Sequence, residues 1–120
     1  MMKLLTKLPD YVVGISASGE IDAKDYKTVL IPAVDSALGK HKQIRMLYQL
    51  TPDFKGFTTG AMWDDSKLRF THLKAWEKIA VVTDAQWVAN LVKMFAFALP
   101  CQVRIFSNSE IFEAENWIVA

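Results

Sequence analysis

The sequence predicts an α/β fold whose sheet opens with an antiparallel hairpin and continues with parallel strands. Short β-prone segments alternate with amphipathic helical segments along most of the chain, as they do where helices connect parallel strands. Pro9-Asp10 separates the first two β-prone segments, which is typical of a tight turn between paired strands. The Ile-Ala-Val-Val run within KIAVVT indicates a strand that is covered on both faces. The predicted order is β-β-α-β-α-β-α-β-α.

The predicted boundaries follow from capping, proline and glycine signals. Asp22 caps the first helix, which Gly39 ends and Pro32 bends near its middle. Gly19 ends the second strand, and Pro52 ends the third because proline cannot donate to a ladder. The predicted strands are Met1 to Leu8, Tyr11 to Ala17, Ile44 to Leu50, Lys78 to Thr83 and Gln102 to Phe106. The first predicted helix runs from Asp22 to about Leu38, and the second runs from Ala61 to about Ala75 with Trp76 on its apolar spacing. The third runs from Ala85, capped by Asp84, to about Leu99, and the last runs from a cap at Asn108 or Ser109 through Trp117.

Composition limits the class of protein. A chain of 120 residues and 13.6 kDa with 52% hydrophobic residues predicts one folded domain over residues 1–120. The net charge is +1 and there is no basic run, which argues against a nucleic-acid partner. A single cysteine, Cys101, and an N-terminus without a signal-like apolar segment favour the cytoplasm. The longest apolar stretch, Trp87 to Cys101, is too short and too interrupted to span a membrane.

The segment FKGFTTGAMWDD, residues 54–65, is the preferred binding site. It connects the third predicted strand to the second predicted helix, at the carboxyl end of the sheet, where α/β folds place ligands. Its glycines permit a tight backbone path, and its aromatic side chains are expected to roof this end of the sheet. The candidate partner- or ligand-binding residues are Asp53, Phe54, Lys55, Phe57, Thr58, Thr59, Trp63 and Asp64.

Two features of this segment have alternative interpretations. Thr58 and Thr59 are candidate phosphorylation sites, because a phosphate is favoured at a helix N-terminus. The alternative is that one of them is simply the N-cap of the second predicted helix. Asp64 and Asp65 point about 100° apart on a helix, so they do not form a catalytic pair. They either charge the helix start or join Asp53 in an acidic patch.

No catalytic, metal or cofactor motif is recognisable. His41 and His72 lack ligand neighbours at metal-binding spacing. Cys101 precedes an apolar strand and is interpreted as a small buried hydrophobic residue. The glycines do not form a nucleotide-binding pattern. The sequence therefore predicts no catalytic residue, no metal and no cofactor, and an enzyme that uses Asp53, Asp64 or His72 is the least favoured hypothesis.

The third predicted helix has more apolar surface than one sheet face requires. Its polar residues, Gln86, Asn90 and Lys93, form one narrow stripe. The apolar excess around Trp87, Met94 and Phe97 needs cover. Three covers are open: the last helix with Ile111, Phe112 and Trp117, a second copy of the chain, or an apolar ligand or membrane surface.

Several segments together resemble the SpoIIAA-like family of small bacterial proteins, which has a STAS-type fold. They are YKTVLIPAVDSAL, DFKGF, AMWDD, KIAVVTD, QWV, VRIF and EAENW. The resemblance covers nearly the whole chain and implies a binding or regulatory module, since STAS-type domains bind proteins, nucleotides or apolar ligands. Anti-sigma-factor antagonists of this type carry a phosphorylated serine between an aspartate and a glycine. Here Thr59 before Gly60 is the nearest match, and Phe57-Thr58 replaces the preceding residues.

The leading hypothesis is a non-catalytic cytoplasmic module that binds a protein partner of unknown identity through Lys55 to Asp65. The alternative is a carrier or sensor of a lipid or other apolar small molecule, held at Trp87, Met94 and Phe97. A homodimer is compatible with both hypotheses.

Overall fold

The described sheet has five strands in the order in which they occur along the chain. The computed structural model describes residues 1–58, 75–96 and 101–120. Within this part of the chain the strands are β1 (Met2–Leu4), β2 (Val12–Ile21), β3 (Ile44–Phe57), β4 (Trp76–Val82) and β5 (Gln102–Phe106). Strand β1 is antiparallel to β2, and β2 to β5 are mutually parallel. The predicted mixed sheet with an N-terminal antiparallel hairpin is confirmed.

Helices cover both faces of this sheet. In the described residues they are α1 (Ala23–Asp25), a π-helical turn (Tyr26–Leu30), α2 (Ile31–Lys40), α3 (Gln86–Ala96) and α4 (Ile111–Val119), the last preceded by a 3₁₀ turn (Asn108–Glu110). Consecutive residues of a strand point to opposite faces, so Met46 packs in the core with Leu30 and Val34, whereas Leu47 packs with Ala114 and Ile118 of α4. The sheet therefore separates two apolar cores.

The first helical region begins as predicted. Asp22 accepts the N–H of Asp25 at 2.9 Å, and the Asp25 carboxylate accepts the N–H of Asp22 at 3.0 Å, which completes a capping box. The π-helical turn lies just before Pro32, so the irregularity expected at this proline takes the form of a π turn. The assignment of Gly39 as the helix end is wrong, because α2 continues to Lys40 and Gly39 has no positive φ.

Alanine substitutions at Gly39 and Gly14 should change the free energy of unfolding in opposite directions. A Cβ at Gly39 would meet nothing within 4 Å, so Gly39→Ala should raise the free energy of unfolding by about 0.5–1 kcal/mol through helix propensity and chain entropy. A Cβ at Gly14 would lie 2.5 Å from Leu8 Cδ1 and 3.0 Å from Leu5 Cβ, so Gly14→Ala should lower it by about 1–3 kcal/mol. Urea unfolding of both variants measures these changes. An unaffected Gly14→Ala protein would contradict the close packing of residues 5–8 on β2.

Strand β1 is shorter than predicted. It ends at Leu4, after which Leu5, Leu8 and Tyr11 turn away and pack against the core beneath α4. These three side chains bury more apolar surface beneath α4 than they would along the edge of the sheet. The predicted hairpin therefore persists only at Met2–Leu4.

Strand β3 is longer than predicted and runs through Pro52. Its pairing with β2 shifts between Ala17 and Gly19, whose partners are Leu50 and Phe54. Three residues of β3 therefore lie opposite a single residue of β2, and this irregularity accommodates a proline without a ladder hydrogen bond. Gly19 has φ +60°, a conformation that favours glycine. It lies within β2 instead of ending it, and both strands extend beyond the predicted boundary.

Strand β4 begins earlier than predicted. Trp76, assigned to the apolar spacing of the second helix, is the first residue of β4 and is buried. The helix predicted from Ala61 to about Ala75 falls almost wholly in 59–74, outside the described residues. In the described parts of the chain, no helix is long and apolar enough to cross a membrane.

The last helical region begins at a different cap from the one predicted. Ser107, and not Asn108 or Ser109, is the N-cap, and it forms a capping box with Glu110. The Ser107 N–H donates to Glu110 Oε1 at 2.8 Å. This bond is the main reason that the pKa of Glu110 lies below its ordinary value.

This cap predicts an acid-sensitive contribution to stability. A depressed folded-state pKa means that the Glu110 contribution is present above its ordinary value of 4.5 and is lost as the pH falls through the lower folded-state pKa. Wild type should therefore be more stable than Glu110→Gln at about pH 7, and the difference should shrink towards about pH 3. Urea midpoints at both pH values measure this change. Glu113→Gln, exposed on the same helix, is the control, and an equal pH dependence in both variants would contradict the assignment.

Candidate functional site at the carboxyl edge of the sheet

Three aromatic rings meet at the carboxyl end of β3, and we call them the aromatic cluster: Phe54, Phe57 and Trp87. The Phe54 and Phe57 ring centroids are 5.0 Å apart. Trp87, from the first turn of α3, stacks on Phe54 at 6.1 Å and meets Phe57 edge-on at 6.4 Å. Trp87 remains 52% exposed. The cluster therefore combines a fixed geometry with an accessible indole face.

The extended β3 strand positions this cluster. Glu20 and Ile21 of β2 pair with Gly56 and Phe57, so β2 supports the end of β3. Gly56 has φ +135°, a backbone conformation that side-chain-bearing residues rarely adopt. Phe54 and Phe57 also pack against the core residues Leu50 and Val81. The sheet thus holds two of the three rings on the paired end of β3.

The other candidate residues of this segment lie around the cluster where the structure describes them. Asp53 is exposed, and its carboxylate accepts the Thr51 hydroxyl. Lys55 is exposed on β3. Thr58 is half-buried directly after β3, and its N–H donates to the Ile21 carbonyl at 2.9 Å. Three further candidates, Thr59, Trp63 and Asp64, lie outside the described residues, as do Asp65 and His72.

The predicted apolar interface on α3 is accessible where it is described. Met94 is 72% exposed, and Trp87 is shared with the aromatic cluster. Phe97 lies outside the described residues. The stripe of Gln86, Asn90 and Lys93 is exposed, and Gln86 Nε2 donates to Asn90 Oδ1 at 3.0 Å. The 54–65 segment and the α3 interface were predicted as two separate sites, and in the structure Trp87 belongs to both.

The prediction that the last helix covers this interface is wrong. Helix α4 packs on Ala80, whereas α3 packs on Val81. Consecutive residues of a strand point to opposite faces, so the two helices lie on opposite faces of the sheet. Phe112, one of the residues expected to provide cover, is itself 75% exposed.

A polar network lies beside the cluster, at the ends of β3, β4 and β5. The Asp84 carboxylate accepts the Asn108 N–H at 2.9 Å and the Asn108 side-chain amide at 3.1 Å. That amide also donates to the Leu50 carbonyl at 2.9 Å, and Gln49 Nε2 donates to Asn108 Oδ1 at 3.0 Å. Asp84, predicted as the α3 cap, thus ties β4 to the β5–α4 connection, while the Thr83 hydroxyl accepts the Ala85 N–H at 3.0 Å.

The sequence contained a signal for this network that the prediction did not use. Asp84 and Asn108 each closely follow a strand of the parallel sheet, and such positions meet at one edge. Both were interpreted only as helix caps. Gln49 gave no comparable signal, because its role depends on the face of β3 on which it lies.

The remaining titratable candidates are ordinary in their surroundings. Cys101 is half-buried beside the core of the α2 face, and burial raises the pKa of its thiol, which disfavours the reactive thiolate. His41 Nε2 lies 3.0 Å from Asp10 Oδ1, near the opposite end of the sheet. Within the described ranges no three His, Cys, Asp or Glu residues are grouped so that they could hold a metal ion.

The family model for SpoIIAA-like proteins matches residues 12–119, which include strands β2 to β5, the aromatic cluster and the polar network. The chain belongs to the SpoIIAA-like family. No curated protein matches it. A crystal structure of an uncharacterised protein from the DUF3478 family of Shewanella loihica PV-4, with a SpoIIAA-like fold, superposes with a TM-score of 0.78. That match covers 98% of this chain and 92% of the other at 22% identity, so it shows the shared fold alone.

The aromatic cluster lies close in the sequence to a position that is phosphorylated in anti-sigma-factor antagonists. This SpoIIAA-like chain is a STAS-type module. The position nearest the phosphorylated serine of anti-sigma-factor antagonists, Thr59, lies outside the described residues, and Thr58 directly precedes it at the end of β3. Phe57 of the aromatic cluster lies two residues before Thr59 in the sequence.

Proposed function

We propose that this protein is a non-catalytic regulatory module of the cytoplasm that binds a protein partner through the aromatic cluster. The observation that carries the proposal is the stacking of a half-exposed Trp87 on Phe54 at the carboxyl edge of the sheet. Tryptophan side chains fixed in this way are typical binding hot spots, because they bury a large area at a small cost in conformational entropy. The SpoIIAA-like fold also suggests protein interaction in general.

The surroundings of the cluster also fit a protein interface. Asp53 and Lys55 flank Phe54 in the sequence, are exposed and supply charges of both signs. An apolar centre with a polar rim is the usual organisation of a protein interface. The rim charges should affect the association rate and its salt dependence more than the affinity.

Co-purification from cells of the source organism tests this proposal. A partner retained by the wild-type protein should be lost, by about tenfold or more, from Trp87→Ala. Phe112→Ala is the matched control, because it removes an aromatic ring of greater exposure from the opposite face. Retention of every partner by Trp87→Ala would exclude the cluster as the binding surface. Unfolding midpoints of both variants confirm that they are folded.

A second candidate function is the binding of a lipid or other apolar small molecule along α3. The 72% exposure of Met94 beside the aromatic cluster favours it. Native mass spectrometry of the gently purified protein distinguishes the two functions, because a bound molecule adds a discrete mass to the chain. The same spectrum reports whether a second copy of the chain covers this face.

A further inference from the structure

A cleft lies on the side of α3 that faces away from Trp87. Its volume is about 320 Å³, and it lies between α3 and the carboxyl ends of β4 and β5. Ala89 and Lys93, which line it, lie roughly 160° and 120° around the helix from Trp87. Parallel sheets with helical crossovers commonly bind small molecules at this edge, and the volume is at the lower end for such sites. The cleft is therefore distinct from the aromatic cluster.

Two side chains of opposite charge line this cleft, and the positive one is available to a ligand. Lys93 lines the cleft, is exposed, and has no acidic partner among the residues the structure describes. Asp84 also lines it, but its two carboxylate oxygens already accept the N–H and the side-chain amide of Asn108. The Asp84 carboxylate keeps its negative charge and repels an anion, so a ligand that carries a single negative charge suits the cleft better than one that carries several.

The Thr83 hydroxyl lies at this cleft and is buried. Thr83 is 6% exposed, and its Oγ1 accepts the Ala85 N–H at 3.0 Å. The hydroxyl proton of Thr83 has no acceptor within residues 1–58, 75–96 and 101–120. A buried donor that loses water without gaining an acceptor is costly. An oxygen atom of a bound molecule would satisfy this donor.

Part of the cleft wall is apolar, whereas Gln86 and Ser107 add polar groups to it. Ala85 and Ala89 form part of the helix side, and Ile105 and Phe106 form part of the strand side. Small-molecule sites usually combine such an apolar wall with a few fixed polar groups. A short hydrocarbon chain would lie against this wall while its charged end reaches Lys93.

We propose that this cleft binds a small organic monocarboxylate. The Lys93 ammonium pairs with the carboxylate, the Thr83 hydroxyl donates to an oxygen of the ligand, and the hydrocarbon part lies against Ala89 and Ile105. The proposal is independent of the protein partner, because it uses the opposite side of α3 and none of the rings of the aromatic cluster.

Titration of the ¹⁵N-labelled protein with sodium butyrate tests the site. Sodium chloride at matched ionic strength and inorganic phosphate are the comparison titrants. Butyrate should produce saturable amide shifts within residues 83–93 and at Ser107, whereas chloride should not. Non-saturating shifts that match those of chloride, or tighter binding of phosphate than of butyrate, would overturn the proposal.

Three variants assign the roles of individual residues. Lys93→Gln and Thr83→Val should each weaken butyrate binding, Lys93→Gln by about tenfold or more because it removes a charge-assisted bond. Thr83→Ser keeps the hydroxyl and should bind like wild type. Lys40→Gln removes an exposed charge at the far end of α2 and is the control. Unchanged affinity in Lys93→Gln would overturn the site even if Thr83→Val fails to fold.

Discussion

Leu47→Ala should lower the free energy of unfolding by about 3–4 kcal/mol. Leu47 is fully buried in β3 and packs with Ala114 and Ile118 of α4. Its removal loses the transfer free energy of the side chain and leaves a cavity between the sheet and α4, and both losses destabilise the fold. Urea unfolding monitored by far-UV circular dichroism measures the change.

The matched control for this variant is Leu4→Ala. Leu4 is exposed on the edge strand β1, so its truncation should change the free energy of unfolding by less than about 0.5 kcal/mol. Equal effects of the two substitutions would contradict the placement of Leu47 beneath α4. Hydrogen exchange of the α4 amides in Leu47→Ala adds a local readout, because the helix should lose protection there first.

Arg45→Met should cost about 3 kcal/mol, although methionine retains much of the apolar side chain. Arg45 Nε donates to Glu77 at 2.6 Å, and one of its terminal nitrogens donates to the Ile118 carbonyl at 2.8 Å. The guanidinium also lies 5.3 Å from the centre of the Tyr11 ring. With its side chain only 16% exposed, its loss would leave partly buried acceptors without a donor, and such groups cost about 1–3 kcal/mol each.

This arginine belongs to a set of donors that satisfy the last carbonyls of α4. Tyr11 Oη donates to the Val119 carbonyl at 3.0 Å, and Lys78 Nζ donates to the Trp117 carbonyl at 3.3 Å. Cations at a helix C-terminus also interact favourably with the helix dipole. Packing in the core with Leu47 and Ala80 and these donors therefore both hold α4 on the sheet.

Lys42→Met is the control for Arg45→Met, because Lys42 is exposed on the loop before β3. It should leave the free energy of unfolding nearly unchanged. The Glu77 contribution should weaken with added salt, because its carboxylate is 39% exposed. A loss below about 1 kcal/mol in Arg45→Met would mean that the α4 carbonyls find water instead of the guanidinium.

Local sequence signals predicted the elements that depend on local chemistry. Strand β5 has the predicted bounds, Gln102–Phe106, because Pro100 precedes it and a capping serine follows it. Asp22 was correctly assigned as a cap, since its partner Asp25 is three residues away. In both cases the deciding interaction lies within a few residues of the chain.

The elements that were predicted wrongly depend on distant partners. The passage of β3 through Pro52 requires the pairing shift opposite β2, and that shift cannot be inferred from β3 alone. Trp76 matches helical spacing but gains more by packing in the core of the α2 face. The contact of Trp87 with Phe54 was not predicted, because the two residues are far apart in the sequence.

Photo-cross-linking in cells of the source organism tests the central claim most directly. A photoreactive phenylalanine analogue replaces Lys55, which is exposed and follows Phe54 of the aromatic cluster in β3, or Phe112, which is exposed on α4. The account predicts a discrete protein adduct from position 55 that disappears when Trp87→Ala is added, and no adduct from position 112. An adduct from position 112 alone, or an adduct at position 55 that persists in Trp87→Ala, would contradict it.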